Sequence, residues 1–367
     1  MRMAKIALWI FIALLISGVM CGLSFLSDVN RLGGWDKVVF GVGTQYDVQD
    51  TKEMESSSIR RIEVSVSSPA TTLTVSDSQK VNASLTGSVR TSNPKAVPYL
   101  EMNVSGDTLY IAEKRQATLT IGFYSSNIKL DISIPAEFAG ELSFSGSSSD
   151  FNASAVKLSS LSIQTSSGNV TLGSIDLATG FEFGTSSGNI TVNELKADSA
   201  RFSSSSGDKK INSLEVNGDV TFETSSGKTA LDSIRAGKVS FHSSSGDFTA
   251  GLISASELTS GTSSGKVNIG SLDGSANLSS SSGDISLIFQ NPGLQISASS
   301  SSGKIKLSLP PDSQFTLNAR TGSGAIISDF ALDNVKTDKR SLRGSMGDGG
   351  TKIDLSTSSG DISINKN

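Results

Sequence analysis

From residue 59 onward apolar and polar residues alternate with a period of two. Ile62, Val64 and Val66, then Leu73 and Val75, then Val81, Ala83 and Leu85 each mark one face of an extended segment, the pattern of half-buried strands. Leu100, Met102 and Val104 lead through Ser105-Gly106-Asp107 into Leu109 and Ile111, which predicts a hairpin. Ile128, Leu130, Ile132 and Ile134 predict a further strand, stopped by Pro135. No stretch after residue 26 carries a helical period. Residues 27–58 are mixed and turn-rich, with Asp47, Asp50, Glu53 and Glu55 among Gly and Ser, and read as a tether.

Near residue 140 the alternation becomes a repeat. Ser-Ser-Gly recurs with its glycine at 168, 188, 207, 227, 246, 265, 283 and 303, spaced by 18 to 20 residues, and again at 360. Ser149 fills the same slot one unit earlier, and Gly324 belongs to a degenerate later copy. A unit of about 19 residues cannot bury its own apolar face and has to stack on its neighbours. Five and seven positions before the glycine lie pairs such as Leu161 and Ile163, Phe181 and Phe183, Val220 and Phe222. Two and four positions after it lie Val170 and Leu172, Ile190 and Val192, Val267 and Ile269. Each unit is therefore two short strands meeting at a corner. Gly168, Gly188, Gly207, Gly227, Gly246, Gly265, Gly283, Gly303 and Gly360 are the structural corners, where glycine can take a positive φ without steric cost. Stacking at about 4.8 Å predicts an internal aromatic column of Phe183, Phe202, Phe222 and Phe241. Lys209 and Thr229 break the apolar rule two positions after the glycine, and predict a local bulge with the Lys209 ammonium turned outward.

The predicted fold is all-β, a single-stranded parallel β-solenoid of about ten turns and roughly 50 Å, right-handed by the preference of parallel crossovers. Residues 59–139 form a β-rich opening and capping region, 140–328 the solenoid repeats, and 329–367 a charged excursion and a C-terminal capping turn.

The residue after each glycine adds a second pattern. Asn169 and Asn189 are followed by Asp208, Lys228, Asp247, Lys266, Asp284 and Lys304, a strict acid and base alternation. In an in-register stack each Asp would face lysines on both neighbouring turns. Exposed pairs contribute only tenths of a kcal/mol, so the ladder is expected to fix register, with a charge ladder that grips a ligand as the alternative. Three positions before the glycine, Thr165, Thr185, Ser204, Thr224, Ser243 and Thr262 form a hydroxyl row that could meet glycans or a wall polymer, or simply fit tight corners.

With 31 Lys+Arg against 35 Asp+Glu and a net charge of −4, the chain lacks the basic field that nucleic acid requires. One cysteine and one histidine rule out a disulfide framework and a two-histidine zinc site, and no cofactor or metal is expected. His242 follows inward Phe241 and should point outward, without an Asp or Ser partner in its own unit. Carboxylates alternate with lysines rather than pairing for acid and base work. No catalytic residue is assigned, and the expectation is a non-enzymatic protein. The alternatives are a polysaccharide lyase or hydrolase on the same scaffold, and a purely architectural spacer.

Arg2 and Lys5 precede 21 uncharged residues from Ile6 to Leu26, enough for a helix to cross a bilayer. Residues 1–26 are expected to be a single-pass membrane anchor with the rest of the chain outside the cell. A cleaved signal peptide is the rival reading, and Cys21 would serve as a lipid attachment site were Met20 not where a small residue is needed.

The apolar N-terminal segment, the strand Ile-Arg-Arg-Ile-Glu-Val-Ser-Val from residue 59, Asp-Ile-Ser-Ile-Pro at 131–135, and the tandem Ser-Ser-Gly-Asp/Asn-Ile/Val units together resemble the bacterial "putative adhesin" domain family over residues 59–367. The resemblance implies a β-solenoid outside the cytoplasmic membrane, linked in some relatives with envelope stress responses, and it carries no catalytic residues to transfer. A cell-wall polymer or an envelope protein is the expected partner, beside the membrane itself.

Overall fold

The computed structural model describes residues 38–41, 43–116, 119–122 and 124–367. The segment expected to anchor the chain lies outside the described residues, and among the described ones no helix is long and apolar enough to cross a membrane. The described chain is all-β, with one short 3-10 turn at Pro94–Ala96.

The repeat units stack as parallel strands in a solenoid-like array. Ser160–Thr165, Gly180–Thr185, Ser199–Ser204 and Asp219–Thr224 pair in sequence order along one side. Phe151–Leu158, Val170–Leu177, Ile190–Ala197 and Lys209–Val216 do so along the other. Alternation then decides what is buried. Leu172, Val192, Ile211 and Leu231 are register partners on successive turns and none is more than 3% exposed. Fully burying a side chain of this size is worth about 1.5–3 kcal/mol. The unequal spacing of the units is absorbed at the second bend of each turn. Register shifts fall between Ser254 and Glu257 and around Gly274, which holds φ +132°.

None of the corner glycines lies at positive φ. They are required for a different reason, close approach between turns. A Cβ on Gly188, Gly227, Gly265 or Gly303 would sit 2.0–2.1 Å from the carbonyl oxygen of the preceding corner glycine. The corner therefore tolerates no side chain, although its backbone is ordinary.

Lys209 does not bulge outward. It stays in register between Ile190 and Thr229, is 1% exposed, and runs its ammonium through the interior to Ser204. The flexible stem lies along the apolar interior, and a corner hydroxyl meets its tip.

The phenylalanines Phe183, Phe202, Phe222 and Phe241 are register partners and fully buried. Their rings do not form one continuous pile. Phe202 stacks on Phe222 at 5.0 Å and meets Phe181 at 5.1 Å. Phe248, from the opposite side of the turn, stacks on Phe241 at 4.6 Å and reaches Phe222 at 6.2 Å. The register partners of these two rings, Thr229 beside Phe248 and Ser260 beside Phe241, are small.

At both ends the order of turns in space departs from the order in sequence. Arg61–Val66 lies between Glu141–Gly146 and Thr108–Lys114, and Ala70–Ser76 lies between Phe151–Leu158 and Tyr124–Pro135. Antiparallel strands Tyr99–Ser105, Lys80–Thr91 and Thr44–Glu55 close that end. Thr44–Glu55, read from sequence as part of a tether, is thus a twelve-residue strand bonded along its length to Lys80–Thr91. At the other end Thr351–Thr357 lies between Ile285–Ser300 and Phe315–Thr321, and Ile362–Lys366 between Ile305–Leu309 and Ile326–Ser328. The last turn in sequence, expected to cap the stack, is therefore inserted within it. The end is formed by residues 315–328, with the hairpin Asp333–Asp338 and Ser341–Met346 laid against Phe315–Thr321.

Candidate functional site

The residues that sequence reasoning singled out converge on the Ser-Ser-Gly edge of the stack. There Asp150, which follows Ser149, and the Asn and Asp residues that follow the corner glycines accept, through Oδ1, the backbone N–H of the equivalent residue on the next turn. Asp150 takes it from Asn169 (2.7 Å), Asn169 from Asn189 (3.1 Å) and Asn189 from Asp208 (2.8 Å). Asp208 takes it from Lys228 (2.8 Å), Asp247 from Lys266 (2.8 Å) and Asp284 from Lys304 (2.9 Å). No ammonium–carboxylate contact within 4 Å joins Asp208, Lys228, Asp247, Lys266, Asp284 and Lys304 to one another. The acid oxygens are held by backbone donors while the lysines extend into water. Lys304 instead pairs at 3.2 Å with Asp361, its neighbour on the inserted turn. Asp361 titrates below the usual carboxylate range, chiefly because the Ala325 N–H donates to it and then because of Lys304. The alternation thus continues in space where the sequence spacing breaks.

The hydroxyl row has a structural task. Thr165, Thr185, Thr224, Ser243 and Thr262 accept the N–H of the glycine three residues on, at 2.6–3.0 Å. Such side-chain turns satisfy a donor that the bend leaves without a strand partner. Ser204 is the exception. Its Oγ donates to the Gly207 carbonyl at 2.9 Å and accepts from Lys209 Nζ at 2.5 Å. Burial lowers the Lys209 pKa to about 8. A serine beside such an amine suggests a nucleophile and its base. Here, however, the ammonium is the donor and the hydroxyl proton faces a carbonyl, so the pair is arranged as a structural cap.

Beside this edge runs a shallow groove of about 700 Å³. Its floor includes the outward column Ser203, Glu223, His242, Gly261 and Ser279, register partners on five successive turns. Arg201, two residues before Ser203, donates to Glu223 at 2.5 Å. A second depression of about 350 Å³ shares Thr185 and Ser203 with the first and extends it past Gly184 to Gln164. Gly261 leaves low ground beside His242, where a Cβ would find its nearest neighbour at 3.7 Å, whereas the Gln164 side chain lies over Gly184. His242, which has no partner in its own unit, gains Glu223 as its neighbour on the preceding turn. Sequence reasoning missed this column because its members lie 19 or 20 residues apart and only stacking brings them together.

Among the described residues no group of three or more His, Cys, Asp or Glu side chains could hold a metal ion. The groove offers hydrogen-bond donors and acceptors, one imidazole and a carboxylate held by a guanidinium, an arrangement suited to holding a polar chain.

A family model for Toastrack DUF4097 matches residues 59–222 and, again, residues 216–365. The chain belongs to this family. The two matches divide the Toastrack stack into successive halves of similar construction. Among solved structures, a "putative lipid binding protein" from Parabacteroides distasonis is 17% identical, with 90% of this chain and 98% of that one covered and a TM-score of 0.33. A "putative adhesin" from Parabacteroides merdae is 14% identical, covering 74% and 95%, with a TM-score of 0.37. A "putative cell adhesion protein" from Clostridium sporogenes is 11% identical, covering 88% and 100%, with a TM-score of 0.24. No curated protein matches the Toastrack chain.

Proposed function

We propose that this Toastrack protein is a non-enzymatic, adhesin-like envelope protein. The apolar segment Ile6 to Leu26 holds it in the cytoplasmic membrane, and the rod stands on the outer side. In this reading the groove binds a linear, hydroxyl-rich wall polymer running parallel to the stacking axis.

The observation that carries the reading is the column of Arg201-bound Glu223 beside His242, with low ground at Gly261 on the next turn. Ser203, Glu223, His242 and Ser279 set polar groups along the stacking axis at the spacing of the turns, which suits an extended polar ligand. The test is co-sedimentation of the protein with purified wall polymer. Retention should fall at least tenfold in a Glu223→Ala, His242→Ala double variant whose melting temperature is unchanged. Equal retention of both proteins, or none of either, would defeat the assignment. Polymer cleavage that Glu223→Gln abolishes would replace it with an enzyme.

A further inference from the structure

The two ends of the stack are laid down in different orders. At the N-terminal end residues 61–76 precede both of the strands that flank them, which add to one side and then to the other. At the C-terminal end the final segment has to enter a slot whose two walls, residues 285–309 and 315–328, precede it in the chain. Residues 310–314 carry the backbone past that slot. The inserted segment supplies Ile353, Leu355, Ile362 and Ile364 to the core, none more than 2% exposed. Without it both walls would expose unpaired strand edges, which readily capture another strand.

The segment is reached through Gly347-Asp348-Gly349-Gly350. This link starts at Met346, on one flank of Phe315–Thr321, and ends at Thr351 on the other. Gly347 and Gly349 hold φ +60° and +74°. A chain that folds back on itself here therefore depends on glycine.

We propose that residues 351–366 are an exchangeable donor segment, and that the partner this slot fits is a second copy of the chain. Each copy carries one donor and one slot, so reciprocal exchange closes a two-fold dimer. Every contact of the inserted turn is the same in the closed monomer and in the exchanged dimer. Only the link at 347–350 differs, so its geometry and the protein concentration set the balance between the two forms.

Ser299 and Ser356 are outward-facing register partners across the slot wall, a separation that a disulfide can span. Two differently tagged full chains, both with Cys21→Ser, would carry Ser299→Cys and Ser356→Cys respectively and be refolded together. A disulfide joining the two tags is the expected result. If a chain with both cysteines closes its own disulfide while the mixture yields no link between tags, exchange is overturned. A Gly347→Val, Gly349→Val variant tests the link separately by light scattering. Its dimer fraction should rise at least fivefold at equal concentration. A chain that stays wholly monomeric up to the highest soluble concentration would overturn the proposal as well.

Discussion

The corner from Thr262 to Val267 and the corner from Ser204 to Lys209 are built on the same frame. In the first, Thr262 caps the Gly265 N–H and Val267 fills the interior. In the second, Ser204 turns away from that task and receives the ammonium of Lys209, which occupies the place of the valine. Both keep the glycine, and in both a Cβ would strike the preceding turn at 1.8–2.0 Å. The comparison shows where the repeat is strict and where it bends. Backbone contact between turns admits no variation, whereas an interior position accepts even a charge if a neighbouring hydroxyl can be redirected to it.

The strongest way to break this comparison is to bury a charge that has no such neighbour. Phe222→Asp places a carboxylate among Phe202 and Phe248 and should cost at least about 5 kcal/mol. Thermal unfolding should show a folded state that is lost or barely populated at 25 °C, and an unchanged melting temperature would refute the inward assignment.

Lys209→Met is expected to act in the opposite direction. The folded pKa of about 8 lies below the ordinary 10.5, so between these values the unfolded chain binds more protons than the folded one. Stability should therefore rise with pH across that window, and below it the wild-type chain bears the full penalty, up to about 3 kcal/mol. The Met variant should be more stable at pH 7 and should lack this part of the pH dependence, as measured by denaturant titration from pH 7 to pH 10.5.

Gly265→Ala and Gly261→Ala separate close approach from mere glycine content. At 265 the new Cβ meets a backbone oxygen at 2.0 Å, and at 261 its nearest neighbour is a side-chain atom at 3.7 Å. The first should lose about 1–3 kcal/mol and the second should change little, which paired melting curves would resolve. The smallest effect concerns the ladder. Asp247→Ala removes the acceptor of the Lys266 N–H and should cost about 1 kcal/mol. Asp247→Asn should be nearly neutral, because Asn169 and Asn189 already serve the same role. A large loss in Asp247→Asn, sensitive to salt, would return the ladder to ion pairing.

The repeat, the two strands per unit and the inward phenylalanines were legible because each recurs at a nearly fixed offset from a glycine. Lys209 was misread because charge alone argued for solvent, and nothing local in the sequence separates Ser204, which receives it, from Ser243, which caps its own glycine. Thr44–Glu55 left little trace because only Val48 in it is buried, so an edge strand of this kind carries no apolar period. The inserted last turn was hidden for another reason. Parallel pairing between segments distant in sequence leaves no mark on spacing, and the turn that follows the charged excursion read as a cap beyond the stack. The Glu223 and His242 column needed the register itself, which becomes visible only when successive units are aligned.

The Asx side chains at the corners bond each turn to the next along the same direction as the strand-to-strand hydrogen bonds. Tension applied along the axis therefore loads these links one turn after another, while bending spreads the load across a whole turn. A rod of this kind is stiff sideways and yields lengthwise in steps. Each step would release one unit of chain, roughly 65 Å when fully extended, so the protein could lengthen under pull without losing the turns that remain.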